Sequence, residues 1–479
     1  MTLLLLAPVI YIAFSLSAEP LIYPTSAVLT VLFVFQTSFW YRVTRSLFDP
    51  YVIFAIAAML FNGSRAALET FGLNYTTVLG PQFSAQTTLA TLYLVALALS
   101  SYNLGGLLGT PGRRPTGAIQ NEESHTDLAR PRMIGWLLIG ISALPTVILL
   151  KGAVTAVMSS GYFALFQREA PTSFQALPQT LAAFLVPGAL MVAATGKRKR
   201  SQLGATAVLI GLYALVQLFL GMRSLAAASI VPYIWLWHRC IKPISRVQIT
   251  IGLALAVIAM PLVRVSRSFI GEDRLSPSAL VRAFSSIDNP LVSAASEMGG
   301  TANTIAHTVD LVPEFRPYDL GVSYGYGFLT LMPNLFWDIH PTITHGTPAY
   351  WLVQTVDLYQ AQHGGGLGYS FVAEAYLNGG WVAVLLVPAL LGFAFAKLAT
   401  SFSNTGDVLK IACTATILAF TLKYARSDCT EVIRGVVWYA LCPYALARVV
   451  SRKRAFGKLT ARNNSGPPPY NTHETADHV

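Results

Sequence analysis

Charge is what this chain has least of. Of its 479 residues only 11% are Asp, Glu, Lys or Arg, while 54% are hydrophobic. A soluble globular protein carries roughly 25% charged residues, so a soluble domain of ordinary composition is excluded. Cysteine is scarce too. Cys240, Cys413, Cys429 and Cys442 are scattered, without the spacing of a zinc site or a disulfide framework, and read as small apolar residues. No HExxH or paired Asp/His spacing calls for a metal. No internal repeat is visible, which argues against the inverted-repeat design of many transporters. The apolar regions are also not built from short period-two segments, as a membrane β-barrel would need.

What the chain has is apolar length, at a mean hydropathy of +0.53. Runs near 3–18, 26–41, 51–70, 86–108, 133–151, 178–195, 203–221, 225–238, 249–267, 380–398, 408–422 and 435–450 are each expected to cross a hydrocarbon core of about 30 Å. The expected fold is an all-α polytopic membrane protein of about twelve transmembrane helices. The first run lacks a basic leader and is followed by further spans, so it reads as a helix and not a cleaved signal. An N-terminal bundle of about nine helices occupies 1–267, and C-terminal helices occupy 380–450. Between them lies one long loop, 268–379, with a re-entrant glycine-rich segment. The tail, 451–479, contains NNSGPPPYNTHETADHV and is expected to be disordered and cytoplasmic.

Basic residues set the orientation. Arg42, Arg45, Arg113, Arg114, Arg130, Arg132, the run Lys197-Arg198-Lys199-Arg200, Arg239, Lys242, Arg246 and the C-terminal basic residues share one side if both termini are cytoplasmic. The positive-inside rule therefore favours N-in, C-in and puts 268–379 outside. The net charge of +11 reports topology here, and no nucleic-acid partner is expected.

The outer basic residues violate that bias and are almost all arginine. Arg223 sits in the tight hairpin GMRS. Arg264 and Arg267 share a helical face in PLVRVSRSF. Arg426 and Arg434 flank the short loop YARSDCTEVIRG, and Arg274, Arg282 and Arg316 lie in the long loop. Snorkelling to lipid headgroups accounts for single cases. As a set drawn from several helix ends, their planar forks suit phosphate oxygens, so Arg223, Arg264, Arg267, Arg426 and Arg434 form a candidate pyrophosphate site.

Three groups are candidates for proton transfer: Glu374 in FVAEAYLNGG, Glu297 in SEMGGTANTI, and His363 beside three consecutive glycines. Glu374 precedes an apolar span, where a carboxylate is costly unless paired, and one of the outer arginines is its expected partner. The segment HGGGLGYSFVAEAYLNGG reads as non-helical backbone lining a wet cavity. Tyr324, Tyr369, Tyr376 and Asn378 are candidates for glycan contact, since aromatic faces stack on pyranose rings; an interfacial aromatic belt explains part of the same set.

On these stretches, and on YGYGFLTLMPNLFW, the region 220–440 resembles the Wzy-type polymerases of O-antigen and other repeat-unit polysaccharides. The resemblance implies a GT-C-like glycosyltransferase of the bacterial inner membrane, acting on the periplasmic face without metal or other cofactor. Its substrate would be an undecaprenyl-pyrophosphate-linked glycan, and its product O-antigen, capsule or exopolysaccharide. Its partners would be membrane lipids, a chain-length regulator and a flippase. Arg223, Glu374 and Glu297 fall on the family's motifs. An O-antigen ligase, with the same donor but a lipid A–core acceptor, is the nearest rival. A lipid-linked oligosaccharide transporter is a second, disfavoured because deep span positions are nearly charge-free.

Overall fold

In the computed structural model the described residues run from 18 to 451, apart from 75–76, 111–127, 168–175, 197–198, 272–273, 275, 286, 334–336, 338 and 403–406. Among them every regular element is helical. Nine described helices are long and apolar enough to cross a membrane: Glu19–Thr44, Ala85–Gly109, Ala129–Ser160, Leu177–Thr195, Arg200–Phe219, Val247–Ser266, Phe371–Phe402, Val408–Arg426 and Cys429–Ser451.

Three expected spans account for the difference from twelve. The run 3–18 lies outside the described residues, as does the expected tail from 452 onward. The run 225–238 does form a helix, Arg223–Cys240, but Arg223, Ser224, His238 and Arg239 make it too polar to join the nine. The run 51–70 is broken into Pro50–Asn62 (α1) and Ser64–Thr70 (α2), bent by 70°. Asp49 starts α1, its side chain accepting from Val52 N at 3.0 Å with Pro50 in the first turn. The weak helix formers Asn62, Gly63 and Ser64 stop it. The polar side chains at the break are satisfied by neighbours. Asn62 Nδ2 donates to Ala425 O at 3.1 Å, Ser370 Oγ donates to Asn62 Oδ1 at 2.7 Å, and Ser64 Oγ donates to Ala295 O at 2.7 Å.

The bundle is organised around Ala85–Gly109 (α3) and Phe371–Lys397 (α4). Their backbones touch through glycine: a Cβ on Gly105 would collide with Ala389 O, and one on Gly392 with Tyr102 O. Lipid tails give helices no hydrophobic reason to associate, so this close contact, with its dispersion and Cα–H contacts, supplies the attraction.

The long loop expected at 268–379 is instead mostly short helices: Pro277–Ser285, Pro290–Met298 (α5), Ala302–Leu311, Val322–Leu329 (α6), Pro341–His345, Pro348–Val356 and Leu358–Gln362. The re-entrant segment is also shorter than expected. Ser370 caps α4 by accepting from Val372 N at 3.1 Å, so Phe371–Asn378 is buried helix. The helix kinks at Gly379 and Gly380 (φ +59°) before continuing as the span. Glu374 and Asn378, the polar residues of FVAEAYLN, stand four apart, the spacing of one face of a helix inside protein.

Candidate functional site

The site begins at the turn between Arg200–Phe219 (α7) and Arg223–Cys240 (α8). Gly221, at φ +85°, ends α7: its N–H bonds Leu218 O at 2.9 Å, and Met222 N bonds Gln217 O at 2.8 Å. Two arginines from the chain that follows clamp the carbonyls left over. Arg267 donates from Nε and Nη2 to Gly221 O, at 3.1 and 2.6 Å, with its guanidinium 4.6 Å over the Tyr162 ring. Arg274 donates likewise to Phe219 O, at 3.1 and 2.5 Å. Cations suit a helix C-terminus, and the turn is thereby fixed.

Arg223, at the first turn of α8, is only 6% exposed. It grips Glu297 of α5 with both terminal nitrogens, Nη1 to Oε2 at 2.9 Å and Nη2 to Oε1, and Nη1 also donates to Met260 O at 3.1 Å. Burial opposes the charge on Glu297, but the Arg223 fork and the nearby charges of Arg264 and Arg267 outweigh it and hold the carboxyl below its ordinary range. Arg426 completes the cluster. It lies within electrostatic reach of Arg223, Glu297 and Tyr162, with its guanidinium 5.9 Å over the Phe61 ring. Glycines admit it. Gly368, at φ +76°, would place a Cβ 3.4 Å from Arg426 Nε, and Tyr369 N donates to Arg426 O at 3.1 Å. The glycine-rich segment thus lies directly against the arginine cluster.

Arg223, Arg264, Arg267 and Arg426, from three separate stretches of chain, therefore surround one carboxylate at one end of the bundle. Arg434 does not face them through its hydrogen bond: its Nη2 donates to Thr180 Oγ1 at 2.9 Å. Asp428 caps the helix Cys429–Arg434, its Oδ1 accepting from Thr430 N at 3.2 Å.

Among the described residues Glu374 has no arginine partner, contrary to expectation. It is 0% exposed, and its oxygens are taken by neutral donors: Ser323 Oγ at 3.1 Å, Tyr424 OH at 3.1 Å and Cys429 N at 2.9 Å. Neutral donors suffice because they satisfy both oxygens. The group has no open face for a substrate and ties α4, α6 and the segment after Arg426 together. The glycan candidates belong largely to the same knot. Asn378 is saturated, donating to Ser323 Oγ at 2.7 Å and Glu374 O at 2.8 Å and accepting from Gly321 N at 2.9 Å. Tyr369 is fully buried with its hydroxyl 3.3 Å from Thr308 Oγ1, Tyr376 is buried with its ring edge-on to Tyr318, and the Tyr324 hydroxyl is buried beside Glu374. These groups do not offer the sugar-facing platform expected of them, because their aromatic bodies fill the core. His363 is half-buried, its Nδ1 2.8 Å from Tyr359 O.

Sequence reasoning missed Tyr162, Phe61 and Arg65. The last had a signal: Asn62-Gly63-Ser64-Arg65 is a polar quartet inside an apolar run. Arg65 Nε donates to Ser296 O at 2.8 Å and Nη1 to Asn303 Oδ1 at 3.1 Å, so it holds the turn that carries Glu297.

The family model described as O-antigen polysaccharide polymerase Wzy matches residues 1–453. No curated protein and no solved structure matches the chain.

Proposed function

Since the chain belongs to the family of O-antigen polysaccharide polymerase Wzy, we propose that it is a GT-C-like glycosyltransferase of the bacterial inner membrane, polymerising undecaprenyl-pyrophosphate-linked repeat units on the periplasmic face. The observation that carries this reading is the arginine cluster at one end of a multi-pass bundle. Arg223, Arg264, Arg267 and Arg426 outnumber the one carboxylate among them, so the cluster has unneutralised positive charge. Arginine forks suit paired phosphate oxygens, and the start of α8 adds its helix dipole.

The chemistry follows. A hydroxyl of the acceptor repeat attacks the anomeric carbon of the donor. The new C–O bond forms as the bond to the carrier's pyrophosphate breaks. Charge develops on the departing pyrophosphate, where fixed cations lower the barrier most. The hydroxyl proton passes to Glu297, whose side chain keeps 20% exposure while Glu374 has none. Once phosphates draw Arg223 away, Glu297 loses its fork and becomes a better base. Glu374 is a positioning residue: through Cys429 N and Tyr424 it fixes the segment bearing Arg426.

The test is a deletion strain complemented with wild type or Arg223→Ala, with surface glycan run on a gel. The expected result is a ladder with wild type and a single repeat unit without it. Long chains stranded on the lipid carrier, with none on the lipid A core, would instead mean a ligase, and repeats that never reach the outer face would mean a transporter.

A further inference from the structure

One polar cleft lies outside the arginine cluster and shares a helix with it. Its volume is about 240 Å³, and Arg65, Asn74, Thr77, Gln82, Ser296 and Asn303 supply its polar lining. The cleft adjoins the cluster along α5: Ser296 lines it, and the next residue, Glu297, belongs to the cluster. Among its lining residues Arg65 carries the one full charge, so the rest of the lining is amide, hydroxyl and backbone. Arg65 uses Nε on Ser296 O and Nη1 on Asn303 Oδ1 and Leu79 O (2.8, 3.1 and 3.4 Å), while no described group takes Nη2. Asn74 spends its Nδ2 on Arg65 O at 3.0 Å and Glu69 Oε2 at 2.8 Å.

We propose that this cleft is a carbohydrate subsite, holding one sugar ring of the lipid-linked repeat unit next to the pyrophosphate cluster; the inference rests on the polymerase reading. Sugar hydroxyls both donate and accept, and a lining of amides and a guanidinium matches them in pairs. The volume is below the ~300 Å³ at which pockets for larger ligands begin, which suits a single ring. A second anion is disfavoured, since the amide and carbonyl oxygens would repel it. The adjacency to Glu297 gives the subsite its use: a sugar seated against Ser296 is held beside the residue that takes the proton, the positioning such catalysis needs.

Gln82→Ala and Asn303→Ala test this on two separate elements, so a folding failure of one leaves the other informative. In bilayers with the host's own lipid-linked repeat unit, each variant is expected to raise KM about three- to tenfold, the loss of one sugar hydrogen bond, with kcat within about twofold for Gln82→Ala, the residue of the two that does not anchor Arg65. The host's repeat-unit oligosaccharide, released from its carrier by mild acid, should show saturation transfer to wild type and weaker transfer to both variants. A wild-type KM and wild-type transfer in both variants would overturn the subsite while leaving polymerisation intact. A wild-type protein that makes no polymer while still binding the released oligosaccharide would sink the polymerase reading and spare the cleft.

Discussion

Replacing Glu374 by alanine and by glutamine separates a structural carboxylate from a catalytic one. Alanine strands three buried donors: Ser323 Oγ, Tyr424 OH and Cys429 N. Each stranded donor costs about 1–3 kcal/mol in a water-soluble protein. Polar interactions inside membranes average nearer 0.6 kcal/mol, up to about 1.7, because the alternative states also find partners. The sum is therefore about 2–5 kcal/mol, enough to lower the thermal midpoint of the purified protein by several degrees and to loosen Arg426. Glutamine keeps one acceptor oxygen for Cys429 N and Tyr424, and its amide donates to Ser323 as that hydroxyl turns. Glu374→Gln should melt within a few degrees of wild type and retain a ladder, while Glu374→Ala should lose both. The assay is fluorescence-monitored melting in detergent beside glycan gels of the complemented deletion strain. A glutamine variant that melts like wild type yet makes no polymer would refute the reasoning and return Glu374 to the role of base.

The cluster makes further demands. Arg426→Ala and Arg267→Ala should each cut turnover about 100-fold, as loss of a fixed cation at developing charge does, while Arg434→Ala, tied to Thr180, should stay within about threefold; initial rates on lipid-linked repeats decide this. Gly368→Ala forces a side chain into φ +76° with its Cβ 3.2 Å from Arg426 O, so turnover should fall at least tenfold, whereas Gly72→Ala, at φ +64° with nothing within 4 Å, should only lower the melting point slightly. The depressed Glu297 carboxyl contributes stability that is fully present above the ordinary glutamate value of 4.5 and is lost as pH falls below it through the folded value. Melting midpoints from pH 7 to 3.5 should drop in that acid window, and Glu297→Gln should flatten the drop.

The apolar runs reveal a multi-pass helical protein because a span must satisfy its own backbone and shed charge, so nine expected runs reappear as long apolar helices. The sequence also marks the arginines that converge, since a cation at a helix end expected to lie outside breaks a strong bias. Partners were harder to read. Glu374 looked like half of an ion pair, but two hydroxyls and a backbone N–H, from residues 51, 50 and 55 positions away, satisfy it equally well. No local pattern reports such non-local partners. Tyr369 and Tyr376 looked like a sugar platform because tyrosine suits interfaces and cores alike. The break at Gly63 was hidden for a similar reason: hydropathy averaged over a window hides four polar residues between apolar flanks.

The most direct measurement uses the purified protein in sealed bilayers with lipid-linked repeat units of a single defined length, the products being resolved by mass. Polymerase chemistry predicts a series rising by whole repeats, each still on its carrier, with one carrier pyrophosphate released per bond and the series abolished by Arg426→Ala. Repeat units that remain single, with no carrier pyrophosphate released, would contradict it.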